Sequence, residues 1–335
     1  SNIYSESPQQ IKGSETDKLW EYSAKVDDYM YNSVYDQGNE TFSAIRVDCQ
    51  NRHELCLFWA AIGECEANPK YMLMNCSPSC FSCEQLSFET RCPYDKEAPM
   101  AWSKLNDLDN MFRRIVSDEQ FQQYQPTIYS KPDASKQENE DGVLTGPWVV
   151  TLDDFLTPEE CDILIDMGAE KGYERSRDVG AKRFDGTYDG KESTGRTSSN
   201  AWCTEECWEN PTSSAIHDRI ENLLQIPREN YEYLQLLKYE VGQFYETHHD
   251  YIDHHNQRSP GVRILTIFLY LNDVEEGGGT NFPLLNQTTV YPKRGRALIW
   301  PSVKTESPNR KDRRTEHQAL PVIAGIKYGA NAWVH

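Results

Sequence analysis

Apolar and polar residues follow two different patterns along the C-terminal half of this chain. Between residues 157 and 224, apolar positions recur every three or four residues, which predicts amphipathic helices. From residue 231 onward, short runs rich in β-branched and aromatic residues are separated by glycine and proline, which predicts strands. Helices followed by many short strands favour an α+β fold, with helices packed on a β-sandwich or jelly roll.

Two helices in this region carry clear boundary signals. Thr157 to Glu160 form a predicted capping box with proline at the first helical position, and Gly172 suits the end of the helix. The second helix is marked by apolar residues at positions 216, 220, 223 and 224, and it ends before Pro227. Strands are predicted at Tyr233–Val241, Val262–Leu271, Ala297–Trp300 and Ile326–Val334.

The N-terminal part of the chain is less regular. Residues 1–45 are polar with scattered aromatics, and we interpret them as an extension that is partly helical from Glu15 to Tyr31. A helical pattern returns at Asp107–Val116, and the charged run Lys131–Gly142 predicts an exposed linker. The predicted division is an extension at 1–45, a cysteine-rich domain at 46–85, a partly helical linker at 86–145 and an independently folding domain at 146–335.

The net charge argues against several classes of partner. The 335 residues include 53 acidic and 34 basic side chains, a net charge of −19. Nucleic acid and anionic membrane surfaces are therefore not expected partners, and no apolar run reaches the roughly 18 residues of a membrane span. One segment, Lys304–Glu316, has five basic and three acidic residues. We interpret it as a solvated loop, with an acidic peptide ligand as the alternative.

Six of the ten cysteines lie between residues 49 and 83, and two kinds of site compete for them. Zinc sites usually contain paired C-x-x-C motifs, and only Cys80 and Cys83 have that spacing. So short a segment buries little apolar area, which favours disulfides, although spacing alone leaves many pairings open. A bridge between Cys203 and Cys207 is also plausible, and the state of Cys92 and Cys161 stays open.

This segment resembles a ShKT domain, the small fold of sea-anemone potassium-channel toxins. All six cysteines are in register, within a run that includes Asp48-Cys49, Cys56-Leu57-Phe58-Trp59-Ala60 and Cys76-Ser77-Pro78-Ser79-Cys80. The resemblance implies the disulfides Cys49–Cys83, Cys56–Cys76 and Cys65–Cys80. Such a framework indicates the secretory pathway, either the endoplasmic reticulum lumen or the extracellular space. The sequons at Asn39 and Asn286 fit that location, and the absence of an apolar leader suggests a mature or trimmed chain.

The densest candidate chemistry is a histidine cluster, with four of the eight histidines between His248 and His255. On an extended chain His248 and Asp250 point to one side, so an imidazole and a carboxylate could bind one ion. A second, distant histidine would complete the two-His, one-carboxylate set that suits Fe(II). His249 points the other way and is not expected to reach the ion. A polar loop with solvated imidazoles is the alternative, because H-x-D alone is a weak motif.

Longer motifs make the iron interpretation specific. Six segments in unbroken order resemble the prolyl 4-hydroxylase family: Tyr239–Tyr251, Arg263–Thr266, Tyr270–Asn272, Gly277–Pro283, Glu316–Val322 and Gly325–His335. The resemblance implies a double-stranded β-helix (jelly-roll) core and a dioxygenase that uses Fe(II), 2-oxoglutarate and O2, with ascorbate as an expected cofactor. Many members from plants and algae also carry a ShKT module, often after the enzyme domain, whereas here it comes first.

Site residues are implied by the same resemblance, position by position. The iron ligands would be His248, Asp250 and His317. Lys327, ten residues after His317, would pair with the distal carboxylate of 2-oxoglutarate, and Tyr239 and Thr280 would hydrogen-bond that carboxylate. Substrate-side positions are matched by Tyr245, Arg263, Trp333, His335, Arg196, Ser198 and Glu232. Taken singly, these residues would more often be surface polar groups or core aromatics.

The implied reaction is hydroxylation of peptidyl proline at C4, with release of succinate and CO2. The same core could instead hydroxylate another peptide side chain. A third possibility is a protein that binds its target through the ShKT module beside an inactive oxygenase fold. The complete set of His248, Asp250, His317 and Lys327 disfavours that last reading. The expected partner is a proline-containing peptide or protein, but the sequence indicates neither its identity nor the oligomeric state.

Overall fold

The computed structural model describes residues 14–132, apart from residues 94–96, 99, 103 and 105, and residues 146–335. Within this part of the chain the α-helices are α1 (Ser14–Tyr29), α2 (Cys56–Ala61), α3 (Glu64–Ala67), α4 (Pro69–Asn75), α5 (Phe88–Arg91), α6 (Asp107–Ser117), α7 (Glu119–Gln122), α8 (Pro158–Lys171), α9 (Glu206–Glu209) and α10 (Pro211–Leu224). None of these described helices combines the length and apolar character needed to span a membrane.

All but one of the described strands lie after residue 148. In order they are β1 (Pro126–Ser130), β2 (Val149–Leu152), β3 (Glu174–Arg175), β4 (Asp178–Lys182), β5 (Tyr188–Lys191), β6 (Ser199–Trp202), β7 (Gln235–Tyr239), β8 (Tyr245–His248), β9 (Leu265–Tyr270), β10 (Glu276–Gly277), β11 (Thr280–Phe282), β12 (Thr288–Val290), β13 (Ala297–Pro301), β14 (Val303–Lys304), β15 (Ser307–Lys311), β16 (His317–Ala319), β17 (Val322–Ala324) and β18 (Lys327–Val334). All four strands expected in this region are present: β7 and β9 are each four residues shorter than their sequence patterns, β18 is one residue shorter and β13 is one residue longer.

Two antiparallel sheets build the core. The larger sheet has the order β1-β2-β13-β9-β18-β7-β6-β3, and the smaller has the order β12-β11-β16-β8. Their facing surfaces share one apolar cluster, in which Phe268 and Trp300 of the larger sheet meet Phe282 and Val290 of the smaller. This is a double-stranded β-helix, or jelly roll, and the α+β jelly-roll prediction is confirmed.

Strand β9 separates two cores by its alternation. Leu265, Ile267 and Leu269 belong to the cluster that includes helices α8 and α10, while Phe268 and Tyr270 belong to the cluster between the sheets. Successive side chains of a strand point to opposite faces, so one strand can serve both cores. The helices therefore cover one face of the larger sheet, and its other face is directed toward the smaller sheet.

Helix α8 begins with the capping box that its sequence predicts. The Thr157 hydroxyl accepts a hydrogen bond from the Glu160 N–H at 3.2 Å, and the Glu160 carboxylate accepts one from the Thr157 N–H at 2.9 Å. Arg219 of α10 donates to both oxygens of the same carboxylate, at 2.6 and 2.8 Å. One glutamate thus caps its own helix and links it to the next.

The chain up to Asp95, together with the hairpin Val179–Lys191, forms one compact unit. Its disulfides are Cys49–Cys83, Cys56–Cys76 and Cys65–Cys80, as the ShKT resemblance implies. Side chains from the predicted N-terminal extension, among them Val26, Met30 and Phe42, pack against the first of these bridges. The described part of residues 1–45 is therefore a structural layer of the disulfide-rich unit, and α1 agrees with the predicted helix.

The hairpin β4–β5 belongs to this unit although it lies far away in sequence. Its turn places the Phe184 ring under the Arg52 guanidinium, 3.4 Å from carbon to ring centroid. Arg91 donates a hydrogen bond to the carbonyl of Asp185. A Cβ on Gly186 would stand 3.2 Å from the Cβ of Phe88, and this glycine has a φ of 76°. Residues 146–335, predicted as one continuous domain, therefore include a hairpin, Val179–Lys191, that belongs to the disulfide-rich unit.

A second compact unit covers Lys96–Asp178 and Glu192–His335, so it starts well before residue 146. Helix α6 packs Leu108, Phe112 and Ile115 into the main core, and β1 pairs with β2 in the larger sheet. The structure thus differs from the predicted linker at 86–145, because an amphipathic helix must bury its apolar face. Most of the charged run Lys131–Gly142 lies outside the described residues.

A fragment that begins at Gly146 is therefore expected to be unstable. It would lack five side chains that are almost completely buried in the core, namely Leu108, Met111, Phe112, Ile115 and Phe121. At about 1.5–3 kcal/mol for each side chain, the loss is on the order of 10 kcal/mol, which matches the whole stability of a typical domain of about 5–15 kcal/mol. Thermal unfolding monitored by circular dichroism tests this, with a fragment from Lys96 as the control. A cooperative transition in the shorter fragment would show that α6 is dispensable.

Candidate metal and cosubstrate site

The two neighbouring strands β8 and β16 bring three potential metal ligands together. His248 ends β8, His317 begins β16, and the two residues are direct cross-strand partners. Asp250 follows His248 by two residues, and one ligand atom from each of the three lies within 4.8 Å of the others. The structure thus places the predicted His248, Asp250 and His317 set in one cluster, in which Asp250 and His317 are buried and His248 is partly buried.

Backbone carbonyls fix the orientation of both imidazoles. The Nδ1 atom of His248 lies 2.8 Å from the carbonyl oxygen of Glu246, and Nδ1 of His317 lies 3.0 Å from that of Thr315. A carbonyl only accepts, so each Nδ1 carries the proton and each Nε2 keeps its lone pair. The Nε2 atoms of His248 and His317 are 4.0 and 3.7 Å from the Asp250 carboxylate oxygens.

Charge at the cluster suits a divalent cation. Burial alone would raise the pKa of Asp250, but neighbouring His317 and His248 outweigh it and hold that pKa well below its usual range. Burial, reinforced by His317, lowers the pKa of His248 to about 3. The Thr266 hydroxyl donates to Asp250 at 2.7 Å and holds the carboxylate in place. An ionised carboxylate with imidazole nitrogens is a donor set that fits Fe(II) and leaves coordination positions for other ligands.

The adjacent histidines have other partners. His249 accepts a hydrogen bond from the Tyr251 N–H at 2.9 Å and places Nε2 2.9 Å from the carbonyl oxygen of Asp312. Both ring nitrogens of His249 are thus directed away from the cluster, in agreement with the strand geometry. His255 stacks against His335, with 6.0 Å between ring centroids.

Lys327 is the most unusual residue in the same core. It is only 1% exposed, and its Nζ has no hydrogen-bond partner in the described part of the chain. The nitrogen lies 5.1, 5.0 and 5.5 Å from the ring centroids of Tyr239, Phe268 and Tyr270. Burial lowers the pKa of Lys327 to about 7. An amine buried without an acceptor is costly, so this pocket fits an anionic ligand that supplies one.

Tyr239 and Thr280 are the two residues that resemblance assigns to the same carboxylate. Tyr239 is its cross-strand partner on β7. The Thr280 hydroxyl accepts a hydrogen bond at 2.7 Å from Tyr270, whose ring faces the lysine. The structure thus places Tyr239 next to Lys327 and connects Thr280 to the lysine through Tyr270.

Two glycines make room around this lysine. Gly278 has a φ of 67°, and a Cβ there would lie 3.3 Å from Cδ of Lys327. On β18 itself, a Cβ at Gly329 would lie 2.5 Å from Cζ of Phe268, too close for any side chain. The ring of Phe268 can cover the pocket because position 329 has no side chain.

Four of the predicted substrate-side residues form a single cluster. Arg263 donates to Glu232 at 2.8 Å and lies 3.5 Å above the ring centroid of Trp333. His335 Nε2 is 2.9 Å from the same carboxylate. Burial alone would raise the pKa of Glu232, but the hydrogen bond from His335 and the charge of Arg263 outweigh it and lower that pKa to about 2.

Tyr245 connects Arg196 to the metal cluster. Its ring stacks on His248 with centroids 3.5 Å apart, and the Arg196 guanidinium lies 4.6 Å from the centre of the tyrosine ring. Ser198 is fully buried and hydrogen-bonded to Ser176 at 3.0 Å, so it does not line an open surface in this structure.

Comparisons with known proteins agree with the geometry. Residues 234–335 match the 2OG-Fe(II) oxygenase superfamily, and residues 48–83 match the ShK domain-like family. Prolyl 4-hydroxylase 1 of Arabidopsis thaliana is 35% identical over 201 residues, which are 56% of this chain and 69% of that protein. Probable prolyl 4-hydroxylase 10 of the same plant is 33% identical over 252 residues, 69% of this chain and 80% of that protein. This chain belongs to the prolyl 4-hydroxylase family.

A solved structure is also similar, the viral collagen prolyl hydroxylase from Paramecium Bursaria Chlorella virus-1 in its 2OG complex. It has a TM-score of 0.43 and 28% identity, and it covers 56% of this chain and 94% of that chain.

Sequence reasoning missed two residues of this prolyl 4-hydroxylase site. Thr266 is the hydroxyl donor to Asp250, and Asp178 accepts a hydrogen bond from the Tyr245 hydroxyl at 3.2 Å. A signal for Thr266 exists, because it is a polar residue on the site-facing side of a strand that is otherwise apolar. Asp178 carries no such signal, since it precedes a hairpin far from the ligands in sequence.

Proposed function

We propose that this chain hydroxylates peptidyl proline at C4, using Fe(II), 2-oxoglutarate and O2 and releasing succinate and CO2. One observation carries the proposal: the buried Nζ of Lys327, which has no hydrogen-bond partner among the described residues, lies in the same core as a two-His, one-carboxylate cluster. A lysine in that position needs an anion, and 2-oxoglutarate offers its distal carboxylate. The relatives named prolyl 4-hydroxylase support proline as the target.

In this proposal His248, Asp250 and His317 hold the iron. When bound, iron and 2-oxoglutarate together activate O2 for removal of a hydrogen atom from C4 and delivery of a hydroxyl group. The protein's part is to orient the ligands. Both histidines donate their Nδ1–H to backbone carbonyls, which aims each Nε2 at the ion, and Thr266 restrains the carboxylate.

The pocket around Lys327 excludes water. Aromatic rings of Tyr239, Phe268 and Tyr270 surround the ammonium group, and Trp300 packs on His317 with 4.7 Å between ring centroids. In such an environment of low polarity, a lysine–carboxylate pair is stronger than in water. Lys327, helped by Tyr239 and Thr280, would fix the distal end of 2-oxoglutarate and so orient its reactive end toward the iron.

The peptide would be held on the other side of the iron. Tyr245 stacks directly on the ligand His248, and Arg196 covers the Tyr245 ring. The Arg263, Glu232, Trp333 and His335 cluster adds a rigid, charge-balanced wall. We assign substrate binding to these residues and to Ser198, which would have to become accessible.

We also propose a secretory-pathway location, in the endoplasmic reticulum lumen or outside the cell. The described chain contains the disulfides Cys49–Cys83, Cys56–Cys76, Cys65–Cys80 and Cys203–Cys207, which persist in an oxidising environment. Ascorbate is proposed as the reductant that keeps the iron in its ferrous state.

A panel of proline-containing peptides tests the function. With Fe(II), 2-oxoglutarate and O2, mass spectrometry should find one added oxygen on proline, with succinate formed in equal amount. Chelation of the iron should stop both products. Oxygen on a different side chain would favour the alternative peptide hydroxylase. A complete lack of iron-dependent 2-oxoglutarate consumption would favour a binding protein with an inactive oxygenase fold.

A further inference from the structure

A cavity with an excess of positive charge is lined by Tyr251, the residue that follows Asp250, and by the chain before His317. Its volume is about 550 Å³, and the β14–β15 hairpin and the segment after it supply five basic lining residues: Lys304, Arg310, Lys311, Arg313 and Arg314. Two carboxylates, Asp253 and Asp312, also line it. We call this the basic cavity. It is notable because the chain as a whole carries a net charge of −19.

The ion pairs of the basic cavity leave positive charge uncompensated. Arg314 forms two hydrogen bonds with the buried Asp312, at 2.6 and 2.8 Å, and Lys311 is 3.4 Å from Asp253. Arg313 pairs instead with Glu316, which is not among the lining residues. Lys304 and Arg310 form no ion pair with any described residue, so their charges are available to a ligand.

The basic cavity and the metal cluster are built on the same two chain segments. Tyr251 lines the cavity and directly follows the candidate ligand Asp250. His249 Nε2 lies 2.9 Å from the carbonyl oxygen of Asp312 and ties the two segments together. The cavity is therefore lined by the residue that follows Asp250 and by the segment that precedes His317.

We propose that the basic cavity is a subsite for an acidic side chain of the peptide substrate, a Glu or Asp near the target proline. This inference rests on the proposed peptide hydroxylation and adds a sequence preference to it. Guanidinium groups match the planar geometry of a carboxylate, and Lys304 adds a second point charge. The net charge of −19 repels anions in general, so a peptide held at the iron reaches the cavity more readily than a free anion does.

Direct binding measurements on the full chain test the subsite. Two fluorescent proline-rich peptides, identical except for Glu or Gln beside the proline, are titrated at low ionic strength. The Glu peptide should bind on the order of tenfold more tightly, and added salt should reduce the difference. Lys304→Glu with Arg310→Glu should abolish the preference while leaving the affinity for the Gln peptide within about twofold.

A matched control is Lys18→Glu with Lys171→Glu, which changes the net charge equally at positions that do not line the cavity. The preference should survive there, and its loss would show a general charge effect and overturn the subsite. A preference that persists in the Lys304 and Arg310 variant would also overturn it. So would displacement of the Glu peptide by inorganic phosphate at concentrations similar to the peptide's own Kd, which would indicate a site for free anions.

Hydroxylation of the same peptides separates this inference from the proposed function. If the Gln peptide is hydroxylated but the protein shows no preference for Glu, the subsite is wrong and the function stands. If the Glu preference depends on Lys304 and Arg310 but neither peptide is hydroxylated, the subsite stands and the function is wrong.

Discussion

His317→Ala and His248→Ala are each expected to abolish 2-oxoglutarate turnover and to weaken Fe(II) binding strongly. Each substitution removes one of three ligands and leaves Asp250 buried beside a single imidazole. Strands β8 and β16 contain no other histidine, and both ring nitrogens of the neighbouring His249 have other partners. Anaerobic titration with Fe(II), together with a succinate assay, measures both effects.

The neighbouring histidines supply matched controls. His254→Ala and His255→Ala should retain at least partial turnover, since neither belongs to the cluster of potential ligands. His249→Ala is a sharper control, because its ring joins the Tyr251 N–H to the Asp312 carbonyl. It should lower thermal stability and leave the intrinsic affinity for Fe(II) nearly unchanged. Full activity in His317→Ala would exclude this triad.

The alternation along single strands explains why much of the core could be predicted. In β18 the apolar residues Ala330, Ala332 and Val334 belong to the helix-covered core, while Lys327 and Trp333 lie on the opposite face. A period of two is a local property, so the sequence alone reveals it. The same holds for the α8 capping box, which depends only on residues three positions apart.

Pairings between distant segments could not be predicted from patterns. The amphipathic character of α6 is visible in the sequence, but its packing partner is not. The sequence therefore predicts a partly helical linker where the structure has a helix packed into the main core. The same limit applies to Glu232, Arg263 and His335, which resemblance assigned separately to the substrate side. The structure shows that they bind one another, because residues far apart in sequence meet only when β18 completes the sheet.

Resemblance to a family connected His248 and Asp250 with His317, which their spacing in the sequence does not do. The H-x-D pair of His248 and Asp250 has many possible meanings, and nothing local connects it to His317. The family motifs supplied that connection, and the register of β8 with β16 gives its physical basis. Thr266 was not assigned a role, since a hydroxyl inside an apolar strand is recognised as a donor only when its acceptor, Asp250, is known.

Lys327→Ala is expected to weaken 2-oxoglutarate binding by roughly a hundredfold to several thousandfold, because breaking a buried ion pair typically costs about 3–5 kcal/mol. Lys327→Arg should also bind poorly, since a planar guanidinium does not fit a pocket closed by three aromatic rings. Fe(II) affinity should survive both changes, because the lysine is not among the potential ligands. Calorimetry with each ligand separately provides the measurement. The control is Lys238→Ala on the paired strand, where the lysine forms only a partly exposed pair with Glu240.

The pH dependence of 2-oxoglutarate binding tests whether the positive charge of Lys327 holds the carboxylate. Burial lowers the pKa of Lys327 to about 7 before the anion binds, whereas the carboxylates of 2-oxoglutarate are ionised throughout the neutral range. Below pH 7 the lysine is already charged. Above pH 7 the Lys327 amine is mostly neutral and must gain a proton when 2-oxoglutarate binds. The affinity should therefore fall by up to about tenfold for each further pH unit. Lys327→Arg, which stays protonated, should lose this slope even though it binds weakly. If Lys327→Ala bound 2-oxoglutarate as tightly as the parent chain, Lys327 would be a structural lysine, and another cation such as Arg263 would have to hold the carboxylate.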